Sequence, residues 1–147
     1  MDFRKLASNE VDLFEKCIRL FEEVFEMENF LIPSIDHLSK VLSDSAFMCF
    51  IAIEEQGIAG GLTGYRLQQY YTEKPLFYIY DLAVKQNKQR LGIGQKLIQC
   101  VNDYAKENGF EEMYVQADYN DEQAVSFYRK TRISKEEKVL QFSYLMR

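Results

Sequence analysis

The residues that decide the fold of this chain read LFYIYDLAVKQNKQRLGIGQKLIQCVNDYA, from Leu76 to Ala105. Residues 76–84 are an almost uninterrupted apolar run, which predicts a buried strand. From Ile93 onward apolar residues recur at helical spacing, which predicts an amphipathic helix with Gly109 as its stop. A short basic turn with two glycines joins the strand directly to the helix.

This turn predicts a phosphate site. Its successive backbone N–H groups, with the unpaired donors and positive dipole end of the following helix, suit a pyrophosphate. Gly92 and Gly94 let the main chain approach an anion closely because they carry no Cβ atom. Basic side chains surround the turn in an otherwise acidic protein, namely Lys85, Lys88, Arg90 and Lys96. Such a turn can also be a plain connector.

The rest of the chain predicts a mixed α/β layer architecture with helices on both faces of the sheet. Strands are expected at 2–6, 47–53, 58–67, 113–117 and 139–146, and helices after Ser8 or Asn9, at 35–42 and at 121–130. Gly60 and Gly61 predict a bulge or a close backbone approach. We expect a single domain spanning residues 1–147.

Composition narrows the classes of function. The chain has 147 residues, 47% of them hydrophobic, and a net charge of −5. An acidic chain of this kind disfavours nucleic acid and favours a cationic substrate. No apolar run approaches the roughly 20 residues of a membrane span, and no signal peptide is visible, so we expect a cytoplasmic protein without a membrane partner.

The cysteines and the single histidine predict no metal site. Cys17, Cys49 and Cys100 lack metal-like spacing and lie in apolar segments, which is typical of buried reduced thiols. His37 stands alone among polar neighbours, so we expect a surface or capping position.

Asp81 is the first candidate catalytic residue. A carboxylate inside an apolar strand loses hydration unless it is paired or opens onto a cleft. In a cleft it could hold an ammonium group and accept its proton, directly or through water, as a general base. The alternative is a structural hydrogen-bonding role.

Two motifs resemble those of the GCN5-related N-acetyltransferase (GNAT) superfamily. Residues 89–94 match its coenzyme A signature Gln/Arg-x-x-Gly-x-Gly/Ala. Asp121, Ala124 and Tyr128 match Asn-x-x-Ala-x-x-x-Tyr, with aspartate in place of asparagine. The resemblance implies a mostly antiparallel sheet and an acetyl-CoA-dependent N-acetyltransferase that needs no metal.

The resemblance also implies roles for individual residues. Tyr128 would be the general acid for the departing thiolate, and an ordinary phenol with a pKa of about 10 suits that role. Its alternative is a half-buried helix tyrosine. Cofactor contacts would come from Leu82, Ala83, Val84, Gln89, Arg90, Leu91, Gly92, Ile93, Gly94 and Asp121. The alternatives are an ordinary core strand at 82–84 and a helix N-cap at Asp121.

Segments 80–84, 92–94 and 115–125 resemble in particular the aminoglycoside 3-N-acetyltransferases of the gentamicin/fortimicin type, which act in antibiotic resistance. By that resemblance Asp81, Asp118 and Asp121, together with Tyr80, would bind a polyamino sugar, since several carboxylates hold several ammonium groups best. Residues 131–134 read Thr-Arg-Ile-Ser where the superfamily usually has a Leu-Gly turn, which leaves the path into the last strand open.

Other functions remain open at this point. The acceptor could be a polyamine, an amino acid or a protein amine with the same cofactor site. A different class would be a non-catalytic coenzyme A-binding module. Exposed aromatic residues such as Tyr70, Tyr71 and Phe142 would permit a homodimer.

Overall fold

Five strands form one sheet, and their spatial order is the order β1-β2-β3-β4-β5 that they have in the chain. The computed structural model describes residues 1–147. The strands are β1 (Asp2–Lys5), β2 (Phe47–Glu54), β3 (Gly57–Leu67), β4 (Leu76–Val84) and β5 (Glu112–Val115). All neighbours pair antiparallel except β4 and β5, which are parallel. The predicted mixed, mostly antiparallel sheet is confirmed.

Helices cover both faces of this sheet, as predicted. The chain has four helices, α1 (Val11–Val24), α2 (Ile35–Ser43), α3 (Ile93–Glu107) and α4 (Glu122–Arg129), of which α1, α2 and α3 pack on the sheet. One buried core joins α1 and α2 to the sheet, and a second joins α3 to its other face. Gly109 adopts a positive φ of 74° just after α3, so it is the predicted helix stop.

The β2–β3 hairpin shows both features that its paired glycines predict. Ala59 is an extra residue in β3, because Gly60 pairs with Ala52 while Ile58 pairs with Ile53. A Cβ atom at Gly61 would collide with the sulfur of a cysteine on α1, and one at Gly60 would press on α3 side chains at 3.1 Å. Both helices can therefore pack close to the sheet here.

The predicted N-cap of α1 at Ser8 or Asn9 is wrong. The helix begins at Val11, and the preceding Glu10 makes no side-chain cap bond to it. The Glu10 carboxylate instead turns back and accepts hydrogen bonds from the Arg4 guanidinium at 2.7 and 2.8 Å. It also accepts one from the backbone N–H of Ala7 at 2.8 Å. A charged pair between β1 and α1 thus fixes the start of the helix.

The predicted terminal strand at 139–146 is also wrong. No helix or strand occurs after Arg129, and large apolar side chains from Val139 to Met146 are 62–87% exposed. A strand needs a neighbour to satisfy its backbone N–H and C=O groups, and this segment pairs with none. Its alternating sequence therefore stays without regular structure.

The chain divides into two compact units, residues 1–116 and residues 117–147. The first contains the whole sheet with α1, α2 and α3, and the second contains α4. None of the helices combines the length and the apolar character that crossing a bilayer requires.

Candidate functional site

A β-bulge in β4 sets the position of Asp81. Asp81 pairs with Thr63 of β3, and Ile79 pairs with the residue after Thr63, so Tyr80 is an extra residue in the ladder. An extra residue shifts the alternation of side chains between the two faces by one position. Accordingly, Ile79 lies in the core on the α3 side, whereas Ala83 lies in the core under α1. Asp81, two residues before Ala83, lies on the α1 side.

A glycine opposite the bulge allows the two strands to approach. A Cβ atom at Gly64 would lie 2.8 Å from the carbonyl oxygen of Tyr78 and would collide with the ring of Phe77. Both contacts are with groups that cannot move aside easily. The close approach at the bulge therefore requires glycine at this position.

The Asp81 carboxylate is half-buried and has no partner in the chain. It forms no ion pair and no side-chain hydrogen bond. Burial raises the pKa of Asp81 above its usual value, because the charged form loses hydration. An unpaired carboxylate with a raised pKa can hold an ammonium group and accept a proton.

Four tyrosines continue the surface beside Asp81 and are here called the tyrosine row: Tyr65, Tyr78, Tyr80 and Tyr114. Tyr65 pairs with Tyr78, and Tyr78 pairs with Tyr114, so three of them stand in register across β3, β4 and β5. The rings of Tyr78 and Tyr114 stack with centroids 4.8 Å apart. Tyr80 meets Tyr65 and Tyr78 edge to face at 5.7 and 6.0 Å. The sequence predicted only Tyr80 of these four.

The second half of β4 has an open edge. β5 pairs only with residues 76–79 of β4, so residues 80–84 have β3 on one side and no strand on the other. Backbone groups of Leu82, Ala83 and Val84 can therefore pair with an extended ligand, as a missing strand would. The Gln89 side chain donates a hydrogen bond to the Val84 carbonyl at 3.0 Å and so ties the following turn to the strand end.

The turn itself fits a diphosphate. Arg90 and Gly92 have positive φ angles of 66° and 81°, and Gly92 is the N-cap of α3. The first bond into the helix runs from the Lys96 N–H to the Gly92 carbonyl at 3.0 Å, so the amides of Ile93 and Gly94 precede it and need an outside acceptor. A Cβ atom at Gly92 would have no protein atom within 4 Å. The main chain is thus accessible to an anion here.

The charges around the turn are only partly neutralised within the chain. Lys88 forms an ion pair with Glu54 at 2.9 Å. Lys85 and Arg90 form none. An open groove of about 370 Å³ lies beside the turn, lined by Glu23, Lys85, Gln86 and Asn87. Positive charge therefore remains available where the turn amides meet solvent.

The unit 117–147 carries the other predicted site residues. The Asp121 side chain accepts a hydrogen bond from the Ala124 N–H at 3.0 Å, which confirms the N-cap. Asp118 accepts one from the Asn120 N–H at 2.8 Å and is exposed. Tyr128 is half-buried on α4, with its ring 5.0 Å from that of Phe127. Both carboxylates therefore shape local backbone turns.

Comparisons with known proteins agree with this geometry. The family model of the acetyltransferase (GNAT) family matches residues 11–132. The chain belongs to the GNAT acetyltransferase family. It is therefore an acetyltransferase of the family that uses acetyl-CoA. No curated protein sequence matches the chain.

Solved structures of GNAT acetyltransferases resemble it over nearly its whole length. The aminoglycoside acetyltransferase meta-AAC0020, from an uncultured soil metagenomic sample, was solved in complex with sisomicin. It is 51% identical, with a TM-score of 0.98, over 99% of this chain and 96% of that one. The aminoglycoside acetyltransferase HMB0005, also from an uncultured soil metagenomic sample, is 32% identical, with a TM-score of 0.92, over 99% of this chain and 98% of that one. The aminoglycoside N-acetyltransferase AAC(6')-Iy in complex with CoA is 13% identical with a TM-score of 0.75 and shares the fold.

Proposed function

We propose that this GNAT acetyltransferase transfers an acetyl group from acetyl-CoA to an amine of an aminoglycoside, at the 3-N position. The observation that carries the proposal is the unpaired, half-buried carboxylate of Asp81 beside the open edge of β4. The acceptor class is supported by the 51% identity to an aminoglycoside acetyltransferase solved with sisomicin. The net charge of −5 suits an acceptor with several ammonium groups.

Asp81 and Tyr128 would carry the proton transfers. Asp81 holds the acceptor's ammonium group and takes its proton, directly or through water, so that the free lone pair can attack the thioester carbonyl. The carbon–sulfur bond then breaks, and Tyr128 donates the proton that the thiolate needs. The second proton lost by the amine restores the Tyr128 hydroxyl. Acetyl-CoA supplies the activated acetyl group.

Backbone groups would hold the acyl donor. Leu82, Ala83 and Val84 offer the open edge of β4 to the pantetheine arm, which fixes the line of approach of the thioester to the amine. The turn from Gln89 to Gly94 offers its amides to the diphosphate. On α4, Asp121 is the remaining cofactor contact in this proposal, alongside its observed role as N-cap.

Three carboxylates and one aromatic residue would select the acceptor. Asp81 holds the reacting amine, and Tyr80 borders it on the bulge. Asp118 and Asp121 would bind further ammonium groups of the amino sugar.

The test is a thiol-release assay with acetyl-CoA over sisomicin, spermidine, free amino acids and a lysine peptide. We expect turnover with sisomicin, and the product's NMR spectrum to show the acetyl group on the 3-amino nitrogen. Faster turnover with spermidine or the peptide would contradict the proposal and would identify a polyamine or a protein amine as the acceptor. Binding of acetyl-CoA without thiol release from any acceptor would favour a non-catalytic module.

We also propose that the chain forms a homodimer. Tyr70 and Tyr71 are 87% and 83% exposed, and Phe142 is 77% exposed. The rings of Tyr70 and Tyr71 lie 4.3 Å apart, and adjacent exposed apolar groups are typical of protein interfaces. Sedimentation equilibrium should give twice the mass of the chain, and a monomer at all concentrations would contradict the proposal.

A further inference from the structure

The tyrosine row lies on the face of the sheet opposite to the one that α3 covers. Phe77 and Ile79, which alternate with the row along β4, are 0% and 2% exposed under α3. By contrast, Tyr65 is 37% exposed and Tyr80 is 60% exposed. The same strands thus bury the side chains of one face completely, whereas on the other face Tyr65 and Tyr80 are exposed and Tyr78 and Tyr114 are half-buried.

The row is continuous and has the size of a ligand platform. It crosses from β3 to β5, which at the usual strand spacing is about 10 Å, enough for about two sugar rings. Tyr78 is fixed in place by stacking on Tyr114 and by a hydrogen bond from its hydroxyl to the Gln116 side chain at 3.1 Å. Two tyrosine rings held in this way need little ordering when a ligand binds.

Carboxylates lie close to the row. The pKa of Tyr65 is raised by burial first, and then by Tyr80, Asp81 and Asp44. The pKa of Tyr114 is raised by burial, Tyr78 and Glu112. Lys5, Lys96 and Lys138 lie over the rings of Tyr104, Phe3 and Tyr119, respectively, and none of these rings belongs to the row.

We propose that the tyrosine row binds the rings of the acceptor that do not carry the reacting amine, and that it selects multi-ring amino sugars over simple amines. This inference rests on the proposed function, because Asp81 at one end of the row must hold the amine that is acetylated. The apolar C–H faces of sugar rings stack on phenol rings, and ring ammonium groups gain cation–π attraction. The carboxylates beside Tyr65 and Tyr114 strengthen that attraction.

The test compares Tyr114→Leu with Tyr114→Phe, and uses Tyr144→Leu as the control, since Tyr144 lies outside the row and is 84% exposed. The acceptors are sisomicin, with three rings, and 2-deoxystreptamine, with one. We expect Tyr114→Leu to lower kcat/KM for sisomicin about tenfold, mainly through KM. Tyr114→Phe should keep kcat/KM for sisomicin close to that of the wild type, since the ring face remains. The control variant should also stay within about twofold of the wild type.

Two further measurements separate this inference from the function on which it rests. Calorimetry of coenzyme A binding should give the same Kd for all variants. The kcat/KM for 2-deoxystreptamine should also be the same in all of them. Equal losses for both acceptors, or no loss for sisomicin, would overturn the role of the row while leaving the acetyltransferase intact. A wild-type protein that neither binds nor acetylates sisomicin would overturn both proposals.

Discussion

At the scale of single residues, Asp81 is where stability and activity conflict. The bulge at Tyr80 turns this carboxylate to the α1 side of the sheet, where it is half-buried without a partner. Its pKa is raised, so folding favours the protonated form. A group of this kind stabilises the fold below its unfolded pKa of about 3.8, and that contribution is lost as the pH rises through its folded pKa.

We therefore expect Asp81→Asn to raise the free energy of unfolding at pH 7 by less than about 1 kcal/mol, because water still screens a half-buried carboxylate. The gain should disappear at pH values below about 3.8, where aspartate is neutral as well. Urea unfolding at several pH values measures it. The same substitution should reduce kcat at least a hundredfold, because the proton acceptor is gone. A variant that is fully active would remove Asp81 from the mechanism.

At the scale of elements, the ion pair of Arg4 and Glu10 joins the first strand to the first helix. Arg4 holds the pKa of Glu10 down at about 2, first by its hydrogen bonds, with help from the Ala7 N–H. A lowered pKa stabilises the fold above the unfolded value of 4.5, and this stability is lost as the pH falls toward 2. The pair thus supports the entry into α1 at neutral pH.

Glu10→Gln should lower the free energy of unfolding at pH 7 by about 1 kcal/mol. The value is modest because Arg4 is 38% exposed and water screens the pair. Thermal unfolding should show the difference at pH 7 and only a small part of it near pH 2. Glu15→Gln, on the same helix but without an ion pair, is the control. A difference that is as large at pH 2 as at pH 7 would indicate lost packing instead.

The sequence predicts the elements well where local signals are strong. The strand at 76–84, the helix after Gly92 and the cap at Asp121 follow from apolar runs, a glycine turn and an aspartate at the right position. It fails where long-range partners decide the outcome. Glu10 faces a strand residue rather than its own helix, and the segment 139–146 has a strand-like pattern without a neighbour to pair with.

The candidate site was likewise predicted where the signal is local and missed where distant residues come together. Gly92 and Asp81 are visible in the sequence because a glycine turn and a charge in an apolar run are unusual locally. Tyr65 and Tyr114 are not, because they join Tyr78 only through the register of three strands. That register depends on an extra residue at Tyr80, which no local pattern marks.

At the scale of the whole molecule, the net charge of −5 should steer a polycationic acceptor toward the protein. We expect kcat/KM for sisomicin to fall several-fold between roughly 0.05 and 0.5 M salt, because the Debye length shortens from about 14 to about 4 Å. The measurement is the initial rate at low acceptor concentration. A single-amine acceptor serves as the control and should respond much less. Salt-independent rates for both would exclude long-range steering.

The two thiols between α1 and β2 have a practical consequence for enzymology. Cys17 and Cys49 are 0% and 1% exposed with sulfurs 3.8 Å apart, whereas Cys100 is only half-buried. Ellman's reagent should therefore label about one thiol per folded chain and leave the other two masked. A colorimetric assay of liberated coenzyme A then has a small, constant blank. The rate at which Cys17 and Cys49 later become reactive would measure how often α1 separates from the sheet.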